Sequence, residues 1–276
     1  MQKYTKKFKE IKKISIRSLL RSGALSILYF LHIAKIRAAL RKNRVHFIYL
    51  HHVFNDEINK FKLFIDYLID SGHIFVGYSE AIKIIKSGEI GHPYICLSFD
   101  DGLKSCMNAE SVLSERRISA MFFINGLVLE HNSFFSKKNF ARKRLNMQPV
   151  DFLNYENIKH LKLNGHEIGN HTYSHQDISK ITQHEFEADF LRNHRLLTEA
   201  FGEIKHFAWG YGGTKNVTNE ALSFVENFGY LSSASAERGC YISKDAGLYV
   251  LRDHCIAHWP IAHMKYLMYR SIKNAE

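Results

Sequence analysis

A chain of 276 residues with 46% hydrophobic residues can bury a core in one large domain or two small ones. Its formal charge of +11 suggests a nucleic-acid binder until the charge is located. Residues 1–45 hold thirteen Lys or Arg against the single acid Glu10, net +12, which leaves 25 basic and 26 acidic residues, net −1, for the rest.

The basicity is therefore a property of an N-terminal arm, 1–45, and a basic nucleic-acid groove in the remaining domain, 46–276, is excluded. No repeat at solenoid or propeller period is present. Cys96, Cys106, Cys240 and Cys255 form no Cys-x-x-Cys pair, against a zinc knuckle. All four are read as reduced, which favours a cytoplasmic face.

Along the arm, residues 1–22 mix Lys and Arg with Ile, Phe and Leu, and residues 24–34 are apolar. That run is too short to span a bilayer, and its charge-dense leader fits a cleaved signal peptide poorly. The pattern suits an amphipathic helix on an anionic membrane surface. A helix packed on the domain is an equal alternative, and a signal anchor the third. The expected place is cytoplasmic, peripheral on the inner membrane, with a signal-anchored, extracytoplasmic chain as the alternative.

His46 to Val53 reads as the first strand, with His51 and His52 at its end. Residues 57–71 carry helical periodicity, Ile74 to Val76 is a short strand, and Ser79 caps a helix through Ile85. After Pro93, Tyr94-Ile95-Cys96-Leu97-Ser98-Phe99 is a buried strand that ends in Asp100-Asp101-Gly102. Alternation sends the two acids different ways, so one can hold a metal and the other move a proton. Alone, the pair is a polar strand end before a turn.

A helix over Met107–Arg117 and a strand over Ser119–Ile124 follow. Residues 127–154, aromatic and basic, break the rhythm and read as a surface loop, or as a lid or substrate wall. Tyr155–Leu163 is a helix, and Glu167–Gly169 a strand feeding His171-Thr172-Tyr173-Ser174-His175. Four residues apart, on a helical turn or a tight loop, two imidazoles reach the same side. With one carboxylate they make a facial metal site open to water and substrate. Among 17 histidines the spacing is weak, and His254 and His258 repeat it; the setting beside Gly169, Thr172 and Ser174 distinguishes the first pair. Glu185–Phe201 is amphipathic, with Phe186, Phe190, Leu197 and Phe201 facing a core. Val217–Phe228 is a helix, Tyr230–Ala234 and Leu248–Arg252 are strands, and Met264–Arg270 is a terminal helix. The alternation predicts an α/β fold around a mainly parallel sheet or barrel.

Ser98-Phe99-Asp100-Asp101-Gly102 and His171-Thr172-Tyr173-Ser174-His175 together resemble the first two motifs of the polysaccharide deacetylase family. This is carbohydrate esterase family four, with the nodulation-type deacetylase homology domain, and the resemblance covers roughly residues 46–255. It implies an irregular (β/α)7-type barrel. It also implies a metal-dependent hydrolase that removes acetyl groups from N-acetylated sugars of a cell-surface polysaccharide or glycan. The metal ligands it implies are Asp101, His171 and His175, with zinc the default and iron, cobalt or nickel compatible. Asp100 is then the general base, and the N–H of Tyr211 receives the oxyanion. His51 is the general acid, with His258 its rival. His52, His254, His263 and His166 are expected to be structural or exposed.

Lys205 to Gly212 resembles the third motif, with Ala208 where some members have arginine and Gly210 where most have proline. The first departure removes a charge that orients the catalytic acid, and the second leaves the Tyr211 loop less preorganised. Arg252 resembles a family arginine near the domain end. The implied partner is an N-acetylated polysaccharide or glycolipid, not a nucleic acid. Two alternatives stand: a catalytically weakened carbohydrate-binding protein of the same fold, and a related metal amidase with a small substrate.

Overall fold

Strands that are apolar on both faces need cover on both, and a parallel sheet curled on itself with helices outside supplies it. The computed structural model, in which residues 3–11 and 16–276 are described, has this architecture. The arm forms α1 (Phe8–Ile11), α2 (Ile16–Leu31) and α3 (Ile33–Leu40). Then come β1 (Arg44–Leu50), α4 (Ile58–Asp70), β2 (Ile74–Phe75), α5 (Tyr78–Ser87) and β3 (Pro93–Phe99). They are followed by α6 (Met107–Ser114), β4 (Ala120–Ile124), α7 (Gly126–Glu130), α8 (Phe134–Lys143), α9 (Tyr155–Leu163) and β5 (Glu167–Asn170). The chain closes with α10 (Gln183–Phe201), β6 (His206–Ala208), α11 (Asn219–Phe228), β7 (Ser232–Ala234), β8 (Tyr249–Val250), β9 (Asp253–His254) and α12 (Ile261–Ala275).

The sheet order is β8-β7-β6-β5-β4-β3-β1-β9, with β2 paired to β3, and every pairing is parallel. The result is a curled half-barrel. The sheet's two end strands, β8 and β9, are consecutive in sequence and joined by Leu251-Arg252, so that dipeptide crosses the seam. The stretch 248–252, expected as one strand, is therefore split: β8 pairs β7 while β9 pairs β1.

Alternation along the strands builds two cores. Phe47, Cys96, Met121, Phe123, Ala208 and Ala234 fill the interior, while Ile48, Leu97, Phe99 and Phe122 face the helices. The register Leu50↔Phe99 and Ile124↔Asn170 brings β1, β3, β4 and β5 to one end. His51, Asp100 and His171 each follow the last residue of a strand there.

The first strand starts at Arg44 and stops at Leu50, so His51 to Val53 lie beyond it. Ser79 is not a cap. Gly77 precedes α5, and the Ser79 amide donates to the Glu167 carboxylate, 3.0 and 3.2 Å away across the fold. Residues 127–154 are not a bare loop. They hold α8, pinned by Lys137 to Asp151 at 2.6 Å and by Phe140 against Phe152. The arm is built in: α3 buries Ile36, Ala39 and Leu40, and α12 packs on both α2 and α3. Among the described residues no single helix is long and apolar enough to cross a membrane, and α2 and α3 meet at a 78° bend.

Candidate metal centre

The strand ends open into a pocket of about 540 Å³ whose floor carries Asp100, Asp101, His171 and His175. Four of its lining residues, Asp101 (70°), Asn146 (51°), His175 (49°) and Tyr211 (61°), have left-handed backbones, and so does Thr172 (61°) next to the lining residue His171. Such conformations cost of order 1–3 kcal/mol each and cluster where function needs them. Of the two placements the histidine spacing allowed, the structure has the tight loop: His171 and His175 follow β5 and are not on a helical turn. Asp101 is turned by its backbone rather than by strand alternation.

Asp101 Oδ1 lies 3.2 Å from His171 Nε2 and 3.2 Å from His175 Nε2. It is buried and has no hydrogen-bond partner among the described residues. The His171 Nδ1–H donates to the Ala208 carbonyl at 2.9 Å, so in the neutral ring Nε2 turns a lone pair toward that oxygen. Two lone pairs at this distance repel unless positive charge lies between them. Burial pushes the His171 imidazole down, but the pull of Asp101 and Asp100 on a proton there raises its pKa overall. Burial likewise opposes ionisation of Asp101, yet His175 and His171 hold it well below the usual carboxylate range.

A divalent cation meets the same demand for both rings at once. Metal bonds of about 2.0–2.2 Å place neighbouring donors about 2.8–3.6 Å apart for octahedral to tetrahedral angles, which brackets the observed 3.2 Å. All three donor atoms fall within 4.8 Å of one another. The donor set fits a divalent metal, and the orphaned, buried Asp101 oxygen between two imidazoles is the observation that supports the fit.

Asp100 has a different environment. Arg252 donates to both of its oxygens, at 2.9 and 2.8 Å, and also to Ser98 Oγ and the Ser235 carbonyl. Burial alone would raise the Asp100 pKa, but the guanidinium holds it below its ordinary value. The charge expected to be lost at Ala208 is thus supplied from the seam. Ala208 itself is buried in the barrel interior, where an arginine would displace that packing.

His51 stands at the pocket wall, its Nε2 4.0 Å from Asp101 Oδ2 and its ring against Tyr49 and His254. Its rival, His258, is outside the pocket lining, stacked on Phe8 at 4.6 Å and beside Lys60. His52 is bonded to buried Glu57, His166 accepts from the Ala120 amide, and His263 pairs with Ser26. Tyr211 rests 5.0 Å from His175, and its hydroxyl donates to the Arg144 carbonyl at 2.7 Å. Among the described residues its amide hydrogen has no acceptor, as a donor kept for a ligand oxygen requires.

Sequence reasoning missed two parts of the wall and left a third open. His52 and His254 line the pocket, although both were expected to be structural or exposed. Phe8 and Ile11 reach it from the arm, with no signal in the sequence. Arg144 and Met147 come from the insertion, for which the wall was an open alternative.

The sequence model described as "Polysaccharide deacetylase" matches residues 87–230. A chitooligosaccharide deacetylase of Sinorhizobium fredii is 27% identical over 135 residues, 48% of this chain and 53% of that protein. A peptidoglycan-N-acetylglucosamine deacetylase of Bacillus cereus is 27% identical over 123 residues, 44% of this chain and 37% of the other. This chain therefore spans about half or less of the curated relatives it matches. A Streptococcus pyogenes deacetylase solved with acetate superposes with a TM-score of 0.65 over 83% of this chain and 98% of its own, at 15% identity, which shows a shared fold.

Proposed function

The chain belongs to the polysaccharide deacetylase family, and on that premise we propose that it hydrolyses the acetamide of an N-acetylated sugar in a cell-surface polysaccharide or glycan. The observation that carries this reading is the Asp101–His171–His175 donor set beside an ionised, arginine-tethered Asp100 on one pocket floor. The relatives' names, an N-acetylglucosamine deacetylase and a chitooligosaccharide deacetylase, support the substrate class.

Asp101, His171 and His175 would hold a divalent cation, zinc by default, with iron, cobalt or nickel tolerated by the same donors. When bound, it supplies Lewis acidity that makes water acidic near neutral pH and polarises the acetyl carbonyl. Asp100 takes the attacking water's proton, and Arg252 fixes the direction of its lone pairs. The free N–H of Tyr211 faces the negative charge that develops on the acetyl oxygen. His51 donates a proton to the sugar nitrogen as the C–N bond breaks, since an amide anion would be a poor leaving group. The products are acetate and the free amine.

A binding protein that has lost catalysis finds no support here, because Arg252 restores the charge that Ala208 lacks. The test is incubation of metal-loaded protein with N-acetylglucosamine oligosaccharides and peptidoglycan fragments. Acetate and free amine should appear in equal amounts and vanish on chelation. Absence of acetate from every N-acetylated glycan, with the metal bound, would overturn the proposal. Metal analysis of the purified protein identifies the ion.

A further inference from the structure

We propose that the outer face of α2 docks on an anionic lipid surface, and that the pocket thereby meets a sugar carried on lipid. The second half rests on the deacetylase reading; the first does not.

Ile16, Leu19, Leu20, Ile27, Phe30 and Leu31 are 78, 61, 70, 62, 69 and 73% exposed. On a helix these positions, with Gly23 and Ala24 between them, form one uncharged stripe about 140° wide. The opposite face is already used: Leu25, Leu28 and Tyr29 pack on the core, and Ser26 bonds His263 of α12. The exposed face therefore has no partner among the described residues, and six large apolar side chains on one short helix exceed what single scattered surface residues explain.

Charge selects the occupant. Exposed Lys3, Lys6, Lys7 and Lys9 precede the stripe, Arg17 flanks it, and Lys35 and Arg37 follow it. Pairing two copies through α2 would bring together two arms of net +12, whereas an anionic bilayer takes up the apolar stripe and the charge together. The helix lies on the surface rather than spanning it. Its 16 residues measure about 24 Å against a hydrocarbon core of about 30 Å, and the 78° bend turns α3 back to the protein core.

The arm also touches the site. Phe8 and Ile11 line the catalytic pocket, and Ile16, the first residue of the stripe, is five residues beyond Ile11. Five residues reach at most about 18 Å. The pocket wall is thus held within that distance of the docking face, where a glycan anchored in the same surface can enter and a freely diffusing one gains nothing from docking.

The full-length protein is sedimented with phosphatidylcholine vesicles that contain or lack phosphatidylglycerol. Binding is expected only with phosphatidylglycerol, weakening as salt rises. The double variant Ile27→Glu, Phe30→Glu should lose at least about ten-fold in binding with its thermal midpoint unchanged. Equal binding of variant and wild type, no preference for phosphatidylglycerol, or a wild-type dimer that the variant splits would overturn docking. In the second arm, acetate release is compared for an N-acetylglucosaminyl lipid in those vesicles and for the free saccharide. Wild type should favour the vesicle-borne sugar by at least about ten-fold, and the variant should lose that preference. Equal rates in wild type would overturn the lipid-carried substrate. Acetate from neither would sink the deacetylase reading instead, while sedimentation still decides docking.

Discussion

His46 and His171 each face a buried aspartate, yet their rings carry the proton on opposite sides. His46 accepts from Arg44 Nε at Nδ1 and donates from Nε2 to Asp253 Oδ2 at 2.9 Å. The other oxygen of Asp253 takes Ser271 Oγ at 2.7 Å and Arg238 at 3.2 Å. Every member has a partner, and burial pushes the His46 imidazole down so that it stays neutral. His171 spends its Nδ1–H on the Ala208 carbonyl and, as a neutral ring, leaves a lone pair toward Asp101, whose Oδ1 has no hydrogen-bond partner among the described residues. The same residue types thus form a finished structural network in one place and a donor set suited to a cation in the other. Partner counting, not residue identity, separates a brace from a binding site.

Substitutions can break that contrast. The largest effect is expected for Asp101→Ala: loss of bound metal by elemental analysis and a fall in acetate release of about a thousand-fold or more, with the metal-free protein melting no lower than wild type. Retention of metal by this variant would erase the distinction. Asp100→Asn should keep the metal and lose about 10²–10⁴ in turnover, because the base is removed and the donor set is not. His51→Ala should lose about 10² in turnover with metal content unchanged, whereas His258→Ala stays near wild type. The reverse result would move the general acid to His258.

Two further measurements sharpen the structural side. Asp253→Asn should cost about 3 kcal/mol in urea unfolding and leave metal content unchanged, since it breaks a buried pair without touching the pocket floor. The smallest effect concerns pH. Burial, aided by Arg44, lowers the His73 pKa to about 4, and its Nε2 accepts from Arg44 at 3.0 Å. The unfolded chain, with a histidine pKa of about 6.5, binds the proton first, so stability should fall as pH drops from about 6.5 to 4, by roughly 3 kcal/mol at most. In His73→Asn the dependence over that window should shrink; an unchanged slope would assign it elsewhere.

Much of the site was legible because two short motifs carry most of its donors. Asp100, Asp101, His171 and His175 are where the sequence predicts a site, and the alternating elements predict the parallel sheet. What stayed hidden depends on long-range packing. The N-terminus of α5 is held by Glu167, 88 residues from Ser79, so a local search for a cap picks the wrong residue. Phe8 lines the pocket because its amide is held by Asp56 at 2.7 Å, which no periodicity encodes. The tether from Arg252 replaces a missing motif residue from a different strand end, and a position-by-position comparison of the third motif registers only a loss.

That tether lies on the dipeptide that bridges the sheet's open edge between β8 and β9. Its guanidinium binds the ends of β3 and β7 as well as the base. Catalytic alignment and mechanical closure are therefore one latch. On warming, separation of the two edge strands would slacken Asp100 while the helices outside remain in place. Heat inactivation of turnover should then precede loss of helical signal, and a ligand that clamps the edge would raise both together.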